Sequence, residues 1–99
     1  MINFYNRFLT CTPNATIDDV IAHINYARDL IGPDHIGIGG DYDGVDYTPT
    51  GLEDVSKYPN LFEKLLNSGC SELELRKLAG GNILRVLQEV ENVSYTQQI

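Results

Sequence analysis

Apolar positions along the chain alternate between short runs and runs at helical spacing. Residues 2–5, Ile-Asn-Phe-Tyr, combine β-branched and aromatic side chains and predict a strand. After the turn-like stretch from Thr10 to Ala15, apolar residues recur at Ile17, Val20, Ile21, Ile24, Ala27 and Ile31, the spacing of one helix face. Thr16 and Asp19 form a capping box at the start of that helix, and Gly32-Pro33 stops it. The run from His35 to Gly40 predicts a second strand. Strand, helix and strand within about 40 residues form a βαβ unit with parallel strands, which places the chain in the α/β class.

A polar loop follows from Asp41 to about Val55, much longer than the usual connection of roughly 2–6 residues, and a loop of that length is either functional or disordered. The remainder reads as helical. Pro59 opens a short helix carrying Leu61, Phe62, Leu65 and Leu66, which ends at Gly69. Ser71 and Glu74 form a second capping box ahead of Leu75 and Leu78, and Gly80-Gly81 interrupts. Asn82 is then expected to cap a last helix with the apolar face Ile83, Val86, Leu87 and Val90, leaving residues 92–99 as a frayed polar tail.

Two strands do not make a self-sufficient parallel sheet, because such sheets are covered by helices and paired along both edges. The pattern therefore implies either oligomerisation through the sheet or membership of a longer architecture. The strand starting at residue 2 favours the second.

Composition narrows the partners. The chain has 99 residues, 42% hydrophobic and 21% charged, which suits one globular domain with a modest core. Its formal net charge is -7, and its seven Lys and Arg residues are not clustered, so nucleic acid is not an expected partner. No apolar run approaches the roughly 20 residues of a membrane helix, and no signal-peptide pattern follows Met1. Cys11 and Cys70 show no Cys/His spacing of a closed zinc site. The sequons at Asn14 and Asn92 permit a secreted protein without requiring one.

The long loop holds Asp41, Asp43, Asp46, Glu53 and Asp54. A calcium loop starting at Asp41 fails on spacing, since its sixth and twelfth positions hold Asp46 and Leu52 instead of Gly and Glu. Asp41 itself is the first residue after the second strand, and parallel α/β folds carry their sites at the carboxyl ends of strands. A strand-terminal Asp often only caps a turn. Gly39-Gly40 shifts the balance, because paired glycines let backbone and ligand approach closely. His35, at the opposite end of the strand, and His23, within the helix, are expected to be structural, and the chain's own residues complete no metal site.

The runs GIGGDYDGV, GLEDVSKYPNLFEKLL and GGNILRVLQEVE resemble the carboxyl-terminal part of the membrane, or renal-type, dipeptidases, and INFYNRFLTC resembles that family's seventh barrel strand with the loop after it. The resemblance covers residues 1–91. It implies a partial (β/α)8 barrel of the TIM type, with this chain supplying the last two βα units and the closing helices. It also implies zinc-dependent hydrolysis of dipeptides at two zinc ions, on an extracellular or cell-surface enzyme that is commonly lipid-anchored. A homodimer is a further expectation.

Asp41 matches the family acid that moves a proton from the attacking water to the leaving amine and holds the substrate's amino terminus. That is general acid and base work. Tyr5 and Gly44 match positions lining the substrate pocket, and Cys11 matches a cysteine that is disulfide-bonded in secreted relatives. The zinc ligands, the arginine for the substrate carboxylate and the partner of Cys11 belong to earlier strands of the family. The resemblance thus implies a fragment inactive by itself, beside the alternative of a short non-catalytic binding protein that keeps the loop as a surface. Cys70 is expected to be buried and idle.

Overall fold

The computed structural model describes residues 1–97. Strand β1 (Ile2–Asn3) is followed by helix α1 (Asn6–Thr10) and by α2 (Ile17–Ile31), and a 3-10 turn (Pro33–His35) leads into β2 (Ile38–Gly39). After the long loop come a second 3-10 turn (Val55–Lys57), α3 (Tyr58–Asn67), α4 (Glu72–Arg76), a π-type segment (Lys77–Gly81) and α5 (Asn82–Gln97). The two strands pair in parallel, with Ile2 opposite Ile38 and Asn3 opposite Gly39. The predicted βαβ unit is therefore present, with a helix-rich remainder around a small sheet.

Helix α2 starts and stops where its caps dictate. The Thr16 N–H donates to the Asp19 carboxylate at 2.8 Å, satisfying a backbone donor at the helix start. At the other end Gly32 takes φ 86, the left-handed region where a side chain would be strained, and its N–H closes on the Arg28 carbonyl. Val20 and Ile24 enter the core together with Phe4, Leu52, Leu61, Leu65 and Leu78. The Ser71 hydroxyl accepts from the Glu74 N–H, which is the Ser71 half of the second expected capping box.

Several elements differ from the pattern. The strands are shorter than the apolar runs, because Asn6–Thr10 turns into a helix directly after Tyr5 and Pro33–His35 coils as a 3-10 turn. His35 therefore lies in that turn, exposed, and does not open the strand. Asn82 does not cap α5 from outside. It is itself helical, 5% exposed, and its Nδ2 donates to the carbonyls of Pro33 and Ile36 at 2.7 and 2.8 Å. Those two bonds lock the last helix onto the lead-in to β2. Helix α5 continues through Gln97, where a frayed tail was expected, while residues 98–99 lie outside the described residues.

The face of α5 carrying Ile83, Val86, Leu87 and Val90 exists as read, but it is uncovered, with Val90 59% exposed. The molecule measures 52 × 30 × 26 Å and has a radius of gyration of 15.1 Å, above the ~13 Å of a compact chain this long, so its shape is elongated.

Candidate active site

The carboxyl ends of the two parallel strands lie side by side because their register pairs Asn3 with Gly39. The chain leaves β2 through Gly40 and Asp41, and Asp41 adopts φ 57, the left-handed conformation uncommon for a residue with a side chain. Its carbonyl accepts from the Gly44 N–H at 2.9 Å, closing a turn over Asp41–Gly44. The Asp41 carboxylate is on the exposed side of this turn and receives the Asn3 amide, Nδ2 to Oδ2, at 3.3 Å.

Glycine at 44 follows from that placement. A Cβ there would lie 2.5 Å from Asp41 Oδ1, too close for any side chain unless the carboxylate moved. Gly40 is fixed differently: its Cβ would fall 2.6 Å from the Tyr42 ring. Tyr42 anchors the loop by packing edge-on against Phe4, at 6.3 Å between ring centroids, and by donating its hydroxyl to the Leu52 carbonyl at 3.1 Å. Burial and the neighbouring Tyr58 push the Tyr42 phenol well above its ordinary value, so it remains a neutral donor.

The long loop is thus ordered. Pro49 and Leu52 are buried, and Thr50 bridges to the start of α2, donating to the Ala15 carbonyl and accepting from the Ile17 N–H, both at 2.9 Å. An apolar anchor every few residues, Tyr42, Pro49 and Leu52, was the sequence signal for this order.

Tyr5 lies just past β1, with its N–H donating to Asn3 Oδ1 at 2.6 Å and its ring edge-on to Phe8 at 5.0 Å. Gly44 is tied to Asp41 through its own N–H, while Asp41 and the backbone of Tyr5 are joined through one side chain, Asn3, which sequence reasoning missed. Its signal was a polar residue inside an otherwise apolar strand run. Asp43 and Asp46 are exposed. His23 is exposed and bonds the Leu9 carbonyl through Nε2 at 2.9 Å, a packing role. Cys11 is an exposed free thiol at the end of α1, and Cys70 is buried in the core, where burial raises its thiol above the ordinary value.

Among the described residues no group of three or more His, Cys, Asp or Glu side chains is placed to hold a metal ion. The residues of this chain do not by themselves fit the two zinc ions that the resemblance implies. No described helix is long and apolar enough to cross a membrane.

The chain is 50% identical over 98 residues to an uncharacterized dipeptidase of Schizosaccharomyces pombe, covering 97% of this chain and 24% of that protein. It is 47% identical over 96 residues to the dipeptidase aclJ of Aspergillus oryzae, covering 95% of this chain and 23% of that one. It therefore spans about a quarter of the length of these relatives. The crystal structure of an amidohydrolase from Pseudomonas aeruginosa superimposes with a TM-score of 0.78 at 31% identity, over 89% of this chain and 34% of that one. The model of the membrane dipeptidase family, peptidase family M19, matches residues 1–99, and the chain belongs to that family.

Proposed function

We propose that these residues form the last two βα units of a dipeptidase barrel and that Asp41 is the acid–base carboxylate in the hydrolysis of dipeptides. The observation that carries this reading is the family match along the whole chain. The geometry supports it, since Asp41 stands at the carboxyl ends of both parallel strands, where barrel sites lie. There a carboxylate takes the proton of the water that attacks the peptide carbonyl and delivers it to the departing amine, as the C–O bond forms and the C–N bond breaks. Tyr5 and Gly44 line the pocket beside it, and Asp41 also holds the substrate's amino terminus.

Zinc is the metal of this reading, held by ligands from the part of the enzyme outside these residues, and it would polarise the carbonyl and activate the water. In this reading the 99 residues by themselves lack the metal ligands and give no turnover. A second reading, a non-catalytic binding protein, draws on the uncovered apolar face of α5, since exposed contiguous apolar surface marks an interaction site.

Two measurements test these readings, and the second separates them. The isolated chain, assayed with dipeptides and added zinc, is expected to show no turnover, and zinc-dependent turnover would contradict the fragment reading. A chimera in which the chain replaces the matching segment of the Schizosaccharomyces pombe dipeptidase is expected to be active. In that chimera Asp41→Asn should lower kcat by about 10²–10⁴-fold with bound zinc retained. Loss of the zinc instead would make Asp41 a ligand, and a folded, zinc-loaded but inactive chimera would favour the binding protein.

A further inference from the structure

We infer that Asn3 is a positioning residue for Asp41, holding the carboxylate in place from the end of the neighbouring strand; this rests on the acid–base reading of Asp41 above. The argument starts from strand alternation. Phe4 is buried in the core, so its neighbours Asn3 and Tyr5 project to the opposite face, the one that would line a site. An amide on that face has no core-packing reason to be there.

The orientation of the amide follows from chemistry. The Tyr5 N–H, 2.6 Å away, is only a donor, so the Asn3 atom facing it must be the oxygen. The NH₂ group is then left pointing at Asp41 Oδ2, 3.3 Å away. A backbone group fixes one end of the amide, and the other end becomes a directed donor for a carboxylate. On its far side the carboxylate is fenced by the Gly44 position, where only the absence of a Cβ leaves room for Oδ1. Asn3 and Gly44 thus define where the two oxygens of Asp41 sit, and the parallel register brings Asn3 to that distance.

This arrangement distinguishes Asn from its isostere. Asn3→Asp keeps an acceptor for the Tyr5 N–H but turns an oxygen toward Asp41, replacing attraction with like-charge repulsion. Asn3→Ala loses both contacts. A purely structural role for Asn3 predicts that Asp is tolerated and Ala is not. A positioning role predicts that Asp is at least as damaging as Ala.

The test uses the dipeptidase chimera described above, with kcat, KM, bound zinc and Tm measured for each variant. Asn3→Asp is expected to lower kcat by about tenfold to a hundredfold, the range of a hydrogen bond to a charged group, with zinc content and Tm retained. Asn3→Ala is expected to lose no more than Asn3→Asp. Parent-like kcat in Asn3→Asp, with a loss in Asn3→Ala, would overturn the proposal and leave Asn3 serving the Tyr5 N–H alone. If Asn3→Asp does not fold, the near-isosteric, uncharged Asn3→Leu carries the test, and a parent-like kcat there overturns it equally. An unsubstituted chimera that is folded and zinc-loaded yet inactive would overturn the acid–base reading itself.

Discussion

Gly44→Ala separates the placement of Asp41 from the stability of the fold. An added Cβ would meet Asp41 Oδ1 at 2.5 Å, whereas ordinary van der Waals contact begins near 3.4 Å, so the oxygen must retreat by about 0.9 Å. The atom in the way is the free end of an exposed side chain, and it can rotate aside with little resistance. Gly44 itself lies outside the left-handed region, so alanine fits its backbone, and the smaller entropy of the unfolded chain offsets part of any cost. Stability should therefore change by less than about 1 kcal/mol. The rotation, however, carries the other oxygen away from the Asn3 amide, now 3.3 Å distant. A displacement of about 1 Å in a reacting group can cost roughly 10²-fold in rate, and a kcat loss of that order is expected in the dipeptidase chimera. The assay pairs steady-state dipeptide hydrolysis with thermal unfolding of the same preparations. Unchanged kcat would refute the reasoning, because the carboxylate would then work equally well from a displaced position. A large fall in Tm would refute it differently, by making Gly44 a structural glycine.

Three further outcomes follow from the structure. Asn82→Ala strips the Pro33 and Ile36 carbonyls of their donor in a buried position and should destabilise the chain by about 2–4 kcal/mol, read from the urea midpoint; a shift below about 0.5 kcal/mol would contradict that bracing role. Lys77, 2.7 Å from Asp34, holds that carboxyl below the ordinary aspartate value, so its stabilisation is fully present above that value and is lost as pH falls through the lowered folded value. The stability difference between the parent and Asp34→Asn should accordingly shrink in acid below about pH 4, and a difference that grows there would reverse the sign. In timed alkylation followed by mass spectrometry, exposed Cys11 should be modified first. Cys70, buried and with its thiol pushed up, should react only on unfolding, and equal rates would contradict its core placement.

Local patterns determined much of this molecule. The capping box at Thr16/Asp19, the Ser71 hydroxyl on the Glu74 N–H, the stop at Gly32 and the apolar spacing of α2 and α3 are interactions among residues a turn apart, so they are legible without a fold. The parallel pair was legible as well, since a strand, a helix and a second strand leave few alternatives. The family itself was legible in the runs GIGGDYDGV and GLEDVSKYP, and Asp41 was placed at a strand end by counting from the last apolar residue.

What tertiary structure decided lies between distant segments. Asn3 and Asp41 are 38 positions apart, and only the register of the sheet makes one a donor to the other. Asn82 reads as a helix cap by its type, yet the packing of α5 against the lead-in to β2 turns its side chain inward to two carbonyls 46 and 49 positions away. The first strand ends early at Asn3 and the second begins late at Ile38, because the flanking residues gain more from a helix and a 3-10 turn than two unpaired edges offer. The apolar stripe of α5 shows the same division. Its periodicity is a property of the sequence, but that Val86 and Val90 stay exposed is decided by how α5 packs against the rest of the described fold.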